Sequence, residues 1–197
     1  MKSLFAILTL ALVVGFGVSA VSAQSSMMKK DSMMKSDGNP MVGGAAMYKK
    51  KNIVENAMNS ADHTTLVAAV KAAGLVGTLS GKGPFTVFAP VNAAFDKLPA
   101  GTVDTVLMPE NKSMLTGILT YHVVAGKMDS KSIAKAIKKG NGRAILNTVA
   151  GGKLVAMMEG NSLVLTDEKG GKAMVTIANV MQSNGVIHVI DSVLMRN

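Results

Sequence analysis

Helical and extended patterning occupy different halves of this chain, and that segregation limits the fold more than any single motif does. From residue 52 to about 138 apolar residues recur mostly at helical spacing; from residue 144 onward they fall into short β-prone stretches separated by glycine turns. Asn52–Asn59 and Thr64–Ala73 read as short helices, the second carrying Leu66, Val67, Val70 and Ala73 and stopping at Gly74. Gly83-Pro84 breaks the chain ahead of Phe85–Ala89, a strand in which Phe85 and Val87 alternate with Thr86 until Pro90 ends it. A helical turn or two over Asn92–Leu98, a helix opened by Pro109 and running to about Leu119, an extended piece over Tyr121–Val124 and a helix over Ser130–Lys138 follow. Further strands are expected at Ala144–Val149, Lys153–Met158, Ser162–Thr166, Ala173–Ala178 and Val186–Leu194. Helices first and strands second predict an α+β domain whose strands pair as meanders or sandwich sheets, not an alternating βα fold. No internal period of solenoid length recurs, so a single domain is expected over 52–197.

Composition changes upstream of residue 52. Lys2 precedes an apolar run, Leu4–Val18, and then Val21-Ser22-Ala23, a small-residue cleavage site; residues 1–23 have the pattern of a secretory signal peptide. The run is shorter than the roughly 20 residues a spanning helix needs, and Gly15 and Gly17 interrupt it, so export with no membrane span after cleavage is expected. The destination is then the periplasm, the cell surface or the extracellular space. Residues 24–51 hold six Met and six Lys with few aliphatic residues and read as a flexible, solvated linker. Its pairs Met27-Met28 and Met33-Met34 are soft thioethers that select copper(I), which supports an alternative as a periplasmic stress or metal-handling protein. The competing reading is compositional drift or a sacrificial oxidation target. No other cofactor is expected.

Several function classes lack an anchor in the sequence. Cysteine is absent, which removes disulfides, thiolate metal sites and thiol nucleophiles. There is no Gly-x-Ser-x-Gly elbow and no His-Glu-x-x-His helix, and His63, His122 and His188 lie on separate elements without ligand spacing. The glycine pairs at 43–44, 151–152 and 170–171 lack the Lys-Ser or Lys-Thr of a phosphate loop. A noncatalytic protein is expected. The net charge of +9 attracts acidic partners, but 4% aromatic residues and scattered basic ones argue against sequence-specific nucleic-acid binding. The local cluster Lys135, Lys138, Lys139 and Arg143 reads either as a patch for acidic glycans or as a solvated helix face.

Three segments carry a family resemblance. Gly83-Pro84-Phe85-Thr86-Val87-Phe88-Ala89-Pro90-Val91-Asn92-Ala93-Ala94-Phe95 resembles the first signature of fasciclin domains, the adhesion modules also found in periostin and transforming-growth-factor-induced matrix proteins. Thr120-Tyr121-His122-Val123-Val124 is similar to that family's tyrosine-histidine motif, and the stretch from Asn184 to Leu194 resembles its closing signature. The resemblance implies a wedge-shaped β-sandwich of two sheets with several short helices around it, of the small, single-domain bacterial type. It implies adhesion; with the charge taken into account, a cell-surface or matrix protein or an acidic polysaccharide is the expected partner, the oligomeric state being left open. It also implies a structural signature comprising Thr86, Phe88, Pro90, Asn92, Phe95, Gly185, His188 and Asp191.

Read as chemistry, Phe85, Val87, Phe88, Ala94 and Phe95 are core candidates, and Asn92 is a helix cap for the turn that it opens. Tyr121 and His122 have two readings: adhesion contacts, as the resemblance implies, or a hydrogen-bonded pair tying a strand to the core. The other two adhesion candidates are Asn179 and Val180, on which falls the aspartate-isoleucine pair that resembling animal domains carry before the closing signature. A neutral Asn cannot supply the carboxylate that reaches an integrin's metal, so integrin binding through Asn179 and Val180 is disfavoured.

Overall fold

The computed structural model describes residues 38–196. The leader, residues 24–37 and the candidate copper ligands Met27, Met28, Met33 and Met34 lie outside the described residues. A small hairpin comes first, β1 (Met41–Val42) against β2 (Ala45–Ala46). Five helices bracket the next strand: α1 (Ile53–Ala57), α2 (Thr64–Ala72) and α3 (Val76–Ser80) before β3 (Phe85–Pro90), then α4 (Asn92–Asp96) and α5 (Thr102–Leu107). A 3-10 turn at Pro109–Asn111 leads into α6 (Lys112–Tyr121), β4 (Val123–Ala125) and α7 (Ser130–Lys139). The chain ends in β5 (Arg143–Asn147), β6 (Lys153–Glu159), β7 (Ser162–Thr166), β8 (Lys172–Gln182) and β9 (Gly185–Ile190).

The seven larger strands form one ladder, in the order β4-β3-β9-β8-β7-β6-β5. All neighbours are antiparallel except β3 and β9, which run parallel in the register Phe85↔Gly185 to Pro90↔Ile190. Every residue of β9 is buried, as a parallel strand covered on both faces requires. The expected two sheets share β8. Its first residues, Lys172–Met174, pair with β7, and from Val175 onward it pairs with β9. Register breaks between Val175 and Ile177 and between Ile177 and Val180 bend it, which is how a strand turns the corner from one sheet to another. The far ends then meet, with Val124 bridging Thr148 and the Val149 N–H donating to the Val123 carbonyl at 2.7 Å.

Two apolar clusters result, because β3 and β9 send alternate side chains in opposite directions. Val87, Ala89, Ile187 and Val189 pack with α1, α2 and Leu115 and Leu119 of α6. Phe88 and Ile190 pack with Tyr121, with Ile133 and Ile137 of α7, and with the inward residues of β5 to β8. Helix α7 is amphipathic in the ordinary way: Ile133 and Ile137 face in, and the Asp129 carboxylate caps it by accepting from the Ser132 N–H at 2.8 Å.

The structure departs from the sequence reading in four places. Helices α3 and α5 were not anticipated; at five and six residues they are too short to show a period. Helix α6 runs through Tyr121, so this residue closes a helix where an extended piece was expected. Strand β9 stops at Ile190, and Leu194 is buried from an irregular tail. Most consequential, the end of the expected linker is packed on the domain. Val42 and Met47 are 3% and 2% exposed and belong to the helix-side core. The side chain of Asn56, wholly buried, accepts from the Tyr48 N–H at 3.0 Å, donates to the Tyr48 carbonyl at 2.8 Å and reaches the Gln182 side-chain oxygen. The Ala61 N–H donates to the Gly43 carbonyl at 3.1 Å. The folded unit therefore begins upstream of residue 52, and Asn56 fastens the added segment.

Replacing Asn56 by Ala leaves the Tyr48 backbone and Gln182 without their partner. Asn56→Ala is expected to lower the unfolding free energy by about 2 kcal/mol, read from urea denaturation; a change within about 0.5 kcal/mol would mean that the hairpin is not held through this residue.

Candidate functional site

The three motif segments come together. Strand β3 lies between β4, which follows the tyrosine-histidine pair, and β9 of the closing signature. Tyr121 ends α6 fully buried; its hydroxyl donates to the Lys153 carbonyl at 2.8 Å and accepts from the Glu168 N–H at 3.2 Å. Its ring lies on Gly152, where a Cβ would fall 2.6 Å from a ring carbon, so no larger residue fits there. Burial pushes the phenol pKa up. His122 caps the same helix: Nδ1–H donates to the Ile118 carbonyl at 2.8 Å and Nε2 accepts from the Leu194 N–H at 3.0 Å. These partners select one neutral tautomer, and burial lowers the pKa to match.

His188 stacks on Phe88 with ring centroids 5.6 Å apart. Its Nε2–H donates to the Met128 carbonyl at 2.9 Å, while Nδ1 faces the Asn179 N–H at 3.5 Å. Asn179 sits at the β8 corner with φ +63°, a conformation that Asn tolerates better than most residues. Its side chain accepts from the Ser130 N–H at 2.7 Å and donates to the Ser130 hydroxyl at 2.6 Å, which holds the start of α7. Of the four adhesion candidates, Tyr121, His122 and Val180 are thus buried, and Asn179 is half-buried and bonded to Ser130.

The remaining signature residues fasten segments to one another. Thr86, Phe88 and Pro90 are buried in β3, and Phe85 and Phe95 are half-buried against the helix-side cluster. Asn92 does cap a helix, but not its own. Its Oδ1 accepts from the Thr65 N–H at 3.1 Å at the start of α2, and its Nδ2 donates to the Ala61 carbonyl at 2.9 Å. At Gly185 a Cβ would fall 2.1 Å from the Phe85 carbonyl oxygen. The Asp191 carboxylate accepts from the Met174 N–H at 2.8 Å and the Ser192 hydroxyl at 3.1 Å, and Lys97 lies 3.5 Å away. Partial burial pushes its pKa up, but those hydrogen bonds and the lysine outweigh it and hold the carboxyl below its usual range.

Two residues of equal structural weight are Asp167, outside the motif segments, and Asn184, which opens the closing signature but has no role in the sequence reading. Asp167, 7% exposed, accepts from the Lys169 N–H at 3.0 Å, the Gly171 N–H at 2.6 Å and the Met195 N–H at 2.8 Å, tying the β7–β8 turn to the C-terminal tail. Its signal is the turn sequence Asp167-Glu168-Lys169-Gly170-Gly171. Asn184 accepts from the Ile53 N–H at 3.0 Å and donates to the carbonyls of Leu79 and Gly81 at 2.8 and 3.0 Å. An Asn-Gly pair between two β-prone runs marks its turn, but not those distant partners.

Among the described residues no group of three or more His, Cys, Asp or Glu could hold a metal ion, and no helix is long and apolar enough to cross a membrane. Ser60 and His63 form a serine-histidine contact, Oγ to Nδ1 at 2.9 Å, with both residues 3% exposed. Gly43 of the hairpin closes over it; a Cβ there would fall 2.4 Å from the Ser60 Oγ. The pair is thus packed beneath the hairpin.

The chain belongs to the fasciclin family: the model of the Fasciclin domain matches residues 61–196. Among relatives, Protein sll1483 of Synechocystis sp. is 47% identical over 156 residues, covering 79% of each chain. The Cell surface glycolipoprotein MPB83 of Mycobacterium bovis is 35% identical over 158 residues, covering 78% of this chain and 64% of the relative. Among solved structures, a FAS1 domain pair from the insect cell adhesion molecule Fasciclin I aligns with a TM-score of 0.65 at 20% identity, over 74% of this chain and 51% of that one. This chain therefore spans about half of that domain pair, with which it shares the α+β fold.

The buried histidines give the stability a defined pH dependence. Burial lowers the pKa of His63, His122 and His188, against the opposing charges of Asp62, Asp167 and Asp129 respectively. Below the unfolded value of about 6.5 the unfolded chain takes up protons that the folded chain refuses, so stability is full above that pH and falls as pH drops through it. The slope is at most about 1.4 kcal/mol per pH unit for each histidine. Denaturation curves from pH 7.5 to 5 are expected to show this decline, with a shallower slope in His122→Gln; a flat profile in the wild type would refute the assignment.

Proposed function

We propose that this protein is an exported, noncatalytic adhesion protein that binds a polyanionic component of the cell envelope or surrounding matrix, an acidic polysaccharide in the first instance. The observation that carries this reading is where the charge lies. The family's signature side chains are turned inward and their polar atoms are bonded within the domain, so the exterior is what meets a partner. On that exterior the outer face of α7 presents Lys131 and Lys135, then Lys138 and Lys139 near its end, with Arg143 just beyond. Lys135, Lys138, Lys139 and Arg143 form no ion pair with a described carboxylate, whereas the charge of Lys131 acts on the Asp129 carboxylate at the start of the helix. An open groove of about 510 Å³ separates the end of α7 from β5, lined by Lys139, Gly140, Arg143 and Ile145 among others.

A one-signed face on a protein of net charge +9 draws polyanions and speeds their encounter. The MPB83 relative is a cell surface glycolipoprotein, which supports a surface location. The burial of Ser60 and His63 beneath the hairpin supports a noncatalytic role.

Retention on immobilised polygalacturonate across a salt series tests the reading. The purified chain is expected to bind at 0.15 M salt, where the Debye length is about 8 Å, and to weaken progressively above it. Replacing Lys135, Lys138 and Lys139 by Gln is expected to weaken binding about tenfold without moving the melting temperature. Equal retention on neutral dextran, or an unaffected triple variant, would refute it.

A further inference from the structure

A second concave site lies where three loops converge: the α3–β3 turn (Ser80–Pro84), the β4–α7 loop at Lys127 and the β8–β9 turn (Ser183–Gly185). The cleft between them has a volume of about 510 Å³, within the range of small-ligand sites. Two of its glycines allow close backbone packing. A Cβ on Gly83 would fall 2.0 Å from the Asn184 carbonyl oxygen, and one on Gly185 2.1 Å from that of Phe85. Lys82 and Lys127 are both exposed and bring two cations to the lining.

Both lysines are held on pinned backbone. Lys82 lies between Gly81, whose carbonyl accepts from Asn184 Nδ2 at 3.0 Å, and Gly83, packed against the Asn184 backbone. Lys127 lies between Gly126 and Met128, and the fully buried Thr86 hydroxyl bonds both neighbours, donating to the Gly126 carbonyl at 2.6 Å and accepting from the Met128 N–H at 2.8 Å. The Gly126 N–H also donates to the Pro84 carbonyl at 2.9 Å. Loops fixed on both sides of a cation lose little freedom when a ligand arrives.

No acidic side chain lines this cleft, and neither lysine pairs with a described carboxylate. The nearby Glu55 is turned to the Asn52 N–H, accepting at 2.8 Å. Ser80 and Ser183 add hydroxyls that both donate and accept, and the Pro84 ring adds a small apolar surface. Two ammonium groups, two hydroxyls and an apolar ring match a sugar residue bearing a carboxylate or sulfate, its charge taken by the lysines and its C–H face by the proline. We propose that this cleft binds one anionic sugar residue of an acidic polysaccharide, with Lys82 and Lys127 as its charge contacts. The assignment rests on the polyanion reading above and deepens it: the α7 face attracts polymer, whereas the cleft recognises a short unit.

Calorimetric titration of the purified full chain with tetragalacturonate, a sulfated tetrasaccharide and a neutral tetrasaccharide tests it. K82Q/K127Q is compared with K71Q/K112Q, which removes the same charge from exposed positions on α2 and α6, outside both the cleft and the α7 face. K82Q/K127Q is expected to weaken binding of the better acidic tetrasaccharide about tenfold, with an unchanged melting temperature, while K71Q/K112Q leaves it within about twofold. The stronger of the two acidic probes identifies carboxylate or sulfate as the recognised group. Equal losses in the two variants, equal affinity for the neutral sugar, or no binding of either acidic tetrasaccharide by a chain that holds polygalacturonate would overturn the cleft and leave the polymer reading standing. Failure of the wild type to hold polygalacturonate as well would overturn both.

Discussion

The parallel pairing of β3 with β9 is the constraint on which the rest of the structure depends, and it exists because two glycines let backbones touch. Gly83 lies against the Asn184 carbonyl and Gly185 against that of Phe85, at separations that would put any Cβ near 2 Å from an oxygen. With the pair closed, alternate residues of both strands point into two different cores, so one ladder of hydrogen bonds organises both. The same approach sets Asn184 where it can bond Ile53, Leu79 and Gly81, which brings α1 and α3 onto the sheet.

A second theme is the use of buried polar side chains as fasteners between segments far apart in sequence. Asn56, Thr86, Tyr121, His122, Asp167 and His188 are all nearly inaccessible, and each bonds the backbone of a loop, turn or tail. Each bond adds only about 1 kcal/mol net, but leaving such a group unpaired costs about 1 to 3. These residues therefore select one arrangement of loops over others more than they add stability. Four of these fasteners, Thr86, Tyr121, His122 and His188, fall in the family's motif segments, and the surfaces offered to a partner lie on loops and helix faces that the fasteners position.

Much of this was visible in the sequence, and the exceptions have physical reasons. The order of helices and strands, the turn at Gly74, the strand at Phe85 and the α+β class follow from periodicity and glycine placement, which are local signals. The parallel register of β3 and β9 and the change of sheet within β8 are set by contacts that no local window contains. The hairpin at 41–46 was hidden because only Val42 and Met47 enter the core, and two apolar residues amid lysines and glycines look like linker composition. Asn92 shows the limit well: its type announced a cap, yet the helix that it caps begins 28 residues earlier. At the candidate cleft, Lys82 and Lys127 are 45 positions apart, and the pairing of β3 with β4 together with the bonds of Thr86 and Asn184 brings them to one site.

The separation of β3 from β9 also has a consequence in time. Phe85 pairs with a residue one hundred positions downstream, and Leu194, almost the last residue, is buried in the second core. Neither core can close until nearly the whole chain is available, and topologies built on such distant contacts fold slowly. A growing chain of this kind stays open while it is being made.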